Sequence, residues 1–326
     1  MRILAIETSC DDTSIATLDN GNLVELLTRN QHKHHRPHNG IVPEIASRQH
    51  GNHIHRLIQA CLDQSHWDWS RLDAIAVTYG PGLEGALLVG ITTAKAIAST
   101  LSRPLIPVNH LHGHIYSAFM DTLPTFPFVA LLVSGGHCLL VRFTDYFACT
   151  LLGQTRDDAV GEAFDKVARL LGLRYPGGPE IDALAKTGDP TQVQLPKGLH
   201  QQGLDFSYSG LKSAVFRCLN SDNPPNKADV AASFQKAACD SLIDKAIPAC
   251  LDTHTDQLVV CGGVSANSYL RDALHQHGEK NGIQVHTAPL AYCTDNAAMI
   301  GRAAHFMLQS KVPIPTAITA TPNLTL

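Results

Sequence analysis

FVALLVSGGHCLLVRF, residues 128–143, decides the reading of the fold. Phe128 to Val133 is a short apolar run of the kind that fills a buried strand. Ser134-Gly135-Gly136-His137 is a polar turn, and Cys138 to Phe143 is the return strand. The chain opens on the same pattern. Arg2 to Glu7 reads as a buried strand, Thr8-Ser9-Cys10-Asp11-Asp12-Thr13 as a small acidic turn, and Ser14 to Leu18 as the return. Turn chemistry at Asp19-Asn20-Gly21-Asn22 then leads to a third strand over 23–28. Two strand–turn–strand units roughly 125 residues apart point to an internal duplication.

Around these hairpins, strands alternate with helices. The apolar spacing predicts helices over 45–64, 85–101, 110–119, 159–171, 181–186, 227–251, 268–277 and 295–308. Strands are predicted over 72–78, 105–108 and 258–261, with Val285 strand-like. Residues 193–206 read as loop and Pro313 to Leu326 as an irregular tail. The expected class is α/β, with two lobes of mixed sheet flanked by helices. The 326-residue length agrees, because domains run to ~100–200 residues.

Composition narrows the function. With 44% hydrophobic and 17% charged residues the chain is globular. No apolar run reaches the ~18 residues of a membrane span, and MRILAIETSCDD has no secretory-signal pattern. A net charge of −4 argues against a polybasic membrane anchor or a general nucleic-acid coat. Nine cysteines without a C-x-x-C offer neither a zinc ribbon nor a dithiol redox motif, and scattered thiols fit a reducing cytoplasm.

Three features carry chemistry. In His110-Leu111-His112-Gly113-His114, the outer histidines are i and i+4 on a helix that begins just past a strand end. His112 is rotated roughly 200° away and makes a poor third ligand. Two buried structural histidines are the bland alternative. A zinc peptidase wants Glu beside the first His, and Leu111 stands there, so ion binding is favoured over peptide hydrolysis. Asp295 is a candidate third ligand, although an Asp at a helix start is commonly only a cap. Two His and one carboxylate suit iron(II) or catalytic zinc. Second, small-residue turns follow strands at 9–13, 134–136 and 262–263, where amides can approach an anion, with an ordinary turn as the alternative. No Walker or Rossmann glycine motif occurs. Third, the cationic stretch Arg29 to His38 and the group Tyr208, Lys212 and Arg217 are candidate RNA contacts, the alternative being solvated loops.

Matching stretches extend along nearly the whole chain: IETSCDDTS at 6–14, GIVPEIASRQH at 40–50, GPGLEGALLVG at 80–90, NHLHGH at 109–114 and FPFVALLVSGGH at 126–137. They continue with DDAVGEAFDKVARLLGLRYPGGPEID at 157–182, DFSYSGLKSAV at 205–215, CGGVSAN at 261–267 and TDNAAMIG at 294–301. On these the chain resembles the bacterial TsaD branch of the universal tRNA threonylcarbamoyladenosine-forming family, once labelled glycoproteases. The resemblance implies a duplicated actin-like, sugar-kinase-like (ASKHA) fold. The expected lobes are 1–108 plus 297–326, and 109–296, with the metal and adenylate site at the cleft between them. It implies that His110, His114 and Asp295 bind iron(II), with zinc also accepted. It implies that Leu132, Val133, Ser134, Gly135, Gly136, Asp165, Gly178, Asp182 and Asn267 line a pocket for ATP, AMP or threonylcarbamoyl-AMP, with Asp11 and Asp12 an acidic pair at its mouth, one of them the catalytic residue expected to position or deprotonate the attacking amine.

The implied reaction moves threonylcarbamoyl from its adenylate to N6 of adenosine 37 in tRNAs reading codons that begin with A. Implied partners are a TsaB-like paralogue, a TsaE-like ATPase and a TsaC-like synthase of the adenylate, in the cytoplasm. Four positions depart from the common pattern: His112 for Glu, Asp12 for Glu, Asn39 for Gly, and the charged Glu84 for an apolar residue. Three other readings compete. A glycoprotein metallopeptidase is opposed by Leu111. A carbohydrate kinase or other carbamoyltransferase would not require the paired histidines. A scaffold would have no use for an ion site.

Overall fold

The computed structural model describes all residues except Asn39, His200, Gln201 and Thr316, so the Asn39 departure lies outside the described residues. Contacts divide the chain into two compact units, Met1–Pro124 with Thr294–Leu326, and Thr125–Cys293.

Unit 1 opens with an antiparallel meander, β1 (Arg2–Glu7), β2 (Asp12–Asp19) and β3 (Asn22–Asn30). A short helix α1 (His32–His35) and the long α2 (Pro43–Gln64) follow. Then come β4 (Ala74–Gly80), α3 (Glu84–Leu101), β5 (Leu105–Asn109) and α4 (His110–Tyr116). The sheet order is β3-β2-β1-β4-β5, with β4 and β5 parallel to β1. Residues 3–7 of β1 are fully buried, as a central strand covered on both faces must be. α2 lays Ala46, His50, Ile54, Ile58, Cys61 and Leu62 into the interior, a spacing that keeps them on one helix face.

Unit 2 repeats the scheme. β6 (Phe128–Val133), β7 (Cys138–Asp145) and β8 (Ala148–Gln154) form its meander. They are followed by α5 (Val160–Leu171), α6 (Gly177–Ala185), α7 (Ser209–Leu219), α8 (Lys227–Asp252), β9 (Gln257–Cys261), α9 (Ser268–Asn281) and β10 (Gln284–Thr287). The order β10-β9-β6-β7-β8 is the unit 1 order strand for strand, with β9 parallel to β6 and β10 parallel to β9. The chain then returns to unit 1 through α10 (Ala297–Gln309). The predicted duplication is therefore a topological fact, and the α/β class with mixed five-stranded sheets holds.

The unit boundaries differ from the expected lobes, which ended the first stretch at 108 and resumed it at 297. The structure keeps α4 and Thr294–Asn296 with unit 1. The cause is packing: Tyr116 of α4 meets Phe306 of α10 at 4.9 Å between ring centroids, and a side chain at Gly113 would strike Ile300. Among the described residues no helix is long and apolar enough to cross a membrane.

Candidate functional site

Asn109 ends β5 and caps α4, its Oδ1 accepting from the Leu111 amide at 2.8 Å. The helix therefore starts at His110 and brings His110 and His114 onto one face. Their ring centroids lie 4.6 Å apart at an interplanar angle of 81°. Asp295, just ahead of α10, places Oδ1 3.1 Å from His114 Nε2 and 3.5 Å from His110 Nε2. One donor atom from each of the three residues falls within 4.8 Å of the others. The predicted i, i+4 pair and its distant carboxylate are thus assembled inside unit 1.

The donors suit a divalent first-row ion, which two imidazoles and a carboxylate bind well. A second observation concerns His114. Its ring is fully buried, with no hydrogen-bond partner at Nδ1 and with Nε2 turned to Asp295 Oδ1 at 3.1 Å. An ion held jointly by Nε2 and Asp295 Oδ1 would fit that approach.

The electrostatics agree. Burial raises the Asp12 carboxyl, and Asp295, Asp11 and Glu7 add to it, so that it is pushed up to about 8. Asp11 is raised by burial and then by Asp295. Asp11 Oδ2 and Asp12 Oδ1 are themselves buried without hydrogen bonds. Burial alone would lower His110, but Asp295 and Glu7 outweigh it and hold the ring near 9. These carboxylates crowd one another, and a cation relieves them. His112 is not part of this group. It is half-buried and lies along Tyr116 at 6.5 Å between ring centroids, with burial pushing it down to about 4.

Several residues around the acidic turn escaped sequence reasoning. Glu7, fully buried at the end of β1, lies 3.1 Å from His110 Nδ1. His50 donates from Nε2 to the Cys10 carbonyl at 2.9 Å and meets Thr13 Oγ1 at 2.7 Å through Nδ1. The Leu83 amide donates to the Ser9 carbonyl at 2.8 Å, and Thr8 Oγ1 to the Ala86 carbonyl at 2.9 Å. A Cβ on Gly90 would sit 2.3 Å from Thr8 Oγ1, so this close approach requires glycine. The stretch at 80–90 therefore braces the acidic turn. The only sequence signal was that these residues fell within matching stretches.

In unit 2 the expected nucleotide residues gather at the carboxyl ends of β6 and β9, where open α/β sheets hold ligands. The Gly161 amide of α5 donates to the Ser134 carbonyl at 3.2 Å. Asp165 of α5 accepts from the Gly177 amide at 2.7 Å, which fixes the start of α6. Asp182 of α6 accepts from Ser268 Oγ of α9 at 2.7 Å. Asn267 caps α9 through the Leu270 amide at 3.0 Å and donates to Gln235 Oε1 at 2.8 Å. Gly262 (φ 89°) crosses so close to the Val133 carbonyl that a Cβ would lie 2.4 Å from its oxygen. Open space flanks Gly135, Gly136 and Gly178. Leu132 and Val133, by contrast, point into the core, so only their main chain can meet a ligand.

The two RNA-contact candidates are altered. Tyr208 is fully buried, with its hydroxyl 3.2 Å from Ser241 Oγ, so it cannot stack on a base. Lys212 pairs with Asp158 at 2.6 Å. In the cationic stretch His35 is buried and accepts from the Val42 amide, whereas Lys33, His34, Arg36 and His38 are exposed.

Residues 22–302 match the family described as TsaD, tRNA N6-adenosine threonylcarbamoyltransferase. The chain belongs to the TsaD family. A Clostridium botulinum (strain Kyoto / Type A2) tRNA N6-adenosine threonylcarbamoyltransferase is 48% identical over 335 residues, covering 100% of this chain and 98% of the relative. A Clostridium perfringens (strain SM101 / Type A) protein of the same name is 48% identical over 331 residues, covering 99% and 98%. Among solved structures, HypF of T. kodakarensis aligns with a TM-score of 0.67 at 13% identity over 95% of this chain and 48% of its own length. The activator of the 2-hydroxyisocaproyl-CoA dehydratase from Clostridium difficile aligns with a TM-score of 0.54 at 12% identity, over 97% of this chain and 100% of its own. At such identities these two speak for the fold alone, and they agree with the ASKHA-like reading of the TsaD family.

Proposed function

We propose that this TsaD-family chain, a tRNA-modifying transferase, moves threonylcarbamoyl from threonylcarbamoyl-AMP to N6 of adenosine 37 in tRNAs reading codons that begin with A. The observation that carries the reading is the His110–His114–Asp295 set, its two histidines buried, found in a chain 48% identical to transferases of that name. His110 Nε2, His114 Nε2 and Asp295 Oδ1 would hold the ion, iron(II) or zinc. When bound, that ion supplies a Lewis acid for oxygens that gain negative charge during acyl transfer.

The remaining steps belong to the chain's own residues. Amides of the Ser134–Gly136 turn and of the first turn of α6, beside Gly178, hold the nucleotide phosphate, and Asp165, Asp182 and Asn267 keep those segments in place. As N6 bonds to the carbamoyl carbon, the carbon–oxygen bond to phosphate breaks and AMP leaves. The amine proton passes to Asp12 or Asp11. In its ionised form, a carboxyl raised by burial and by neighbouring carboxylates is a stronger base than an ordinary one. The proposed setting is cytoplasmic, beside a TsaB-like paralogue, a TsaE-like ATPase and a TsaC-like synthase.

Asp11→Ala tests the acid assignment. It should lower single-turnover transfer from preformed adenylate by at least ~100-fold while leaving adenylate affinity within about twofold. Unchanged transfer in that variant would remove Asp11 from the reaction.

A further inference from the structure

Glu7 is separated from His110 by 103 residues, yet its carboxylate meets that ring in the interior of unit 1. Three groups converge on it. Thr78 Oγ1 of β4 donates to Oε2 at 2.5 Å. The Ser9 amide donates to Oε1. His110 Nδ1 lies 3.1 Å from Oε2. Thr78 and Ser9 are fixed as donors to the carboxylate, and an ionised carboxylate only accepts. The ring must therefore present N–H at Nδ1. Ser9 Oγ, 3.2 Å from the same nitrogen, can serve as a second acceptor. With Nδ1 keeping its proton, an ion that displaces the proton from Nε2 meets the ring at the nitrogen that faces Asp295 and His114 Nε2.

We infer that Glu7 is a positioning residue that fixes the tautomer and tilt of His110, so that Nε2 is presented to the ion. Metal-bound histidines commonly give their second N–H to a carboxylate, and losing that partner typically costs ~10–100-fold in metal affinity. The inference rests on the reading of His110, His114 and Asp295 as ligands. It also locates the outer carboxylate of the site. His112, the middle histidine of the motif, lies along Tyr116 instead of joining the ion group. The supporting carboxylate comes from β1.

Zinc(II) is the probe, titrated into the full-length protein against a chromogenic chelator. Glu7→Gln should weaken zinc binding ~10–100-fold, and Glu7→Asp, one methylene short of the ring, should recover only part of the loss. His110→Ala with His114→Ala should abolish binding. Zinc affinity of Glu7→Gln within twofold of the parent, while the double His variant binds none, would overturn the positioning role and spare the metal reading. Zinc binding by the double His variant at parental affinity would overturn the metal reading itself. Should Glu7→Gln fail to fold, the zinc-loaded parent still decides. Long-range proton–nitrogen correlation at His110 should show a protonated Nδ1 and a metal-bound Nε2. A protonated Nε2 would overturn the proposal.

Discussion

Asp12 sits buried among the carboxylates of Asp295, Asp11 and Glu7, and this gives it a pH signature. Burial, then Asp295, Asp11 and Glu7, push its carboxyl up to about 8 in the folded protein. In the unfolded chain it titrates near the ordinary value of about 4. A carboxyl raised on folding binds its proton more tightly in the folded state, so stability falls as pH rises through the interval between the two values. In chelator-treated protein, Asp12→Asn should melt with the parent below about pH 4 and above it by at least about 3 °C near pH 9. Parallel melting curves across that range would contradict the assignment. The grouping of His110, His114 and Asp295 was legible at this scale, because i, i+4 spacing puts two histidines on one helix face and the TDNAAMIG stretch marked Asp295. Glu7 was not legible. It closes an apolar strand, and only the tertiary fold carries it to His110.

At the scale of elements, the proposed metal site depends on where α4 begins. Asn109 sets that start by capping the Leu111 amide, and its Nδ2 also donates to the Thr325 carbonyl at 2.8 Å. The tail that reads as irregular thus runs across the ends of β4 and β5, where Thr321 also donates to the Tyr79 carbonyl. Asn109→Ala should cost ~1 kcal/mol in chemical unfolding, the usual loss for a cap, and should weaken metal binding as the first turn frays. Unchanged stability and metal affinity would show that packing of α4 on α10 alone fixes the histidines. The hairpins and the longer helices were legible from apolar runs and turns. α7 was not, because its residues were read as an RNA contact around Tyr208, whose ring the fold buries under α8. Contacts between distant segments decided that outcome, and local spacing does not encode them.

For the whole molecule, the two units share a strand order and differ in the residues they carry: unit 1 has the His110–His114–Asp295 group with Asp11 and Asp12, and unit 2 the glycine turns of the proposed nucleotide site. An ion that binds only the folded state must raise stability by RT ln(1 + [L]/Kd), ~4 kcal/mol at a thousandfold excess over Kd. Zinc should therefore raise the melting temperature of the parent and leave His110→Ala/His114→Ala unmoved; an equal shift in both would place the ion elsewhere. The duplication was legible as a repeated pattern, whereas the boundary was not, since α4 joins unit 1 through contacts with a helix near the other end of the chain. The central claim is that this chain carries out the transfer with its His110–His114–Asp295 set. It is tested most directly by combining the chain with TsaB-, TsaE- and TsaC-like proteins, threonine, bicarbonate, ATP and an unmodified tRNA reading an A-starting codon. Nucleoside mass spectrometry then measures threonylcarbamoyladenosine. The account predicts product with the parent chain and none with His110→Ala/His114→Ala. Absence of product from the parent, in a mixture proven active with a known relative, would contradict the transferase reading, and full activity in the double variant would contradict the role of the metal site.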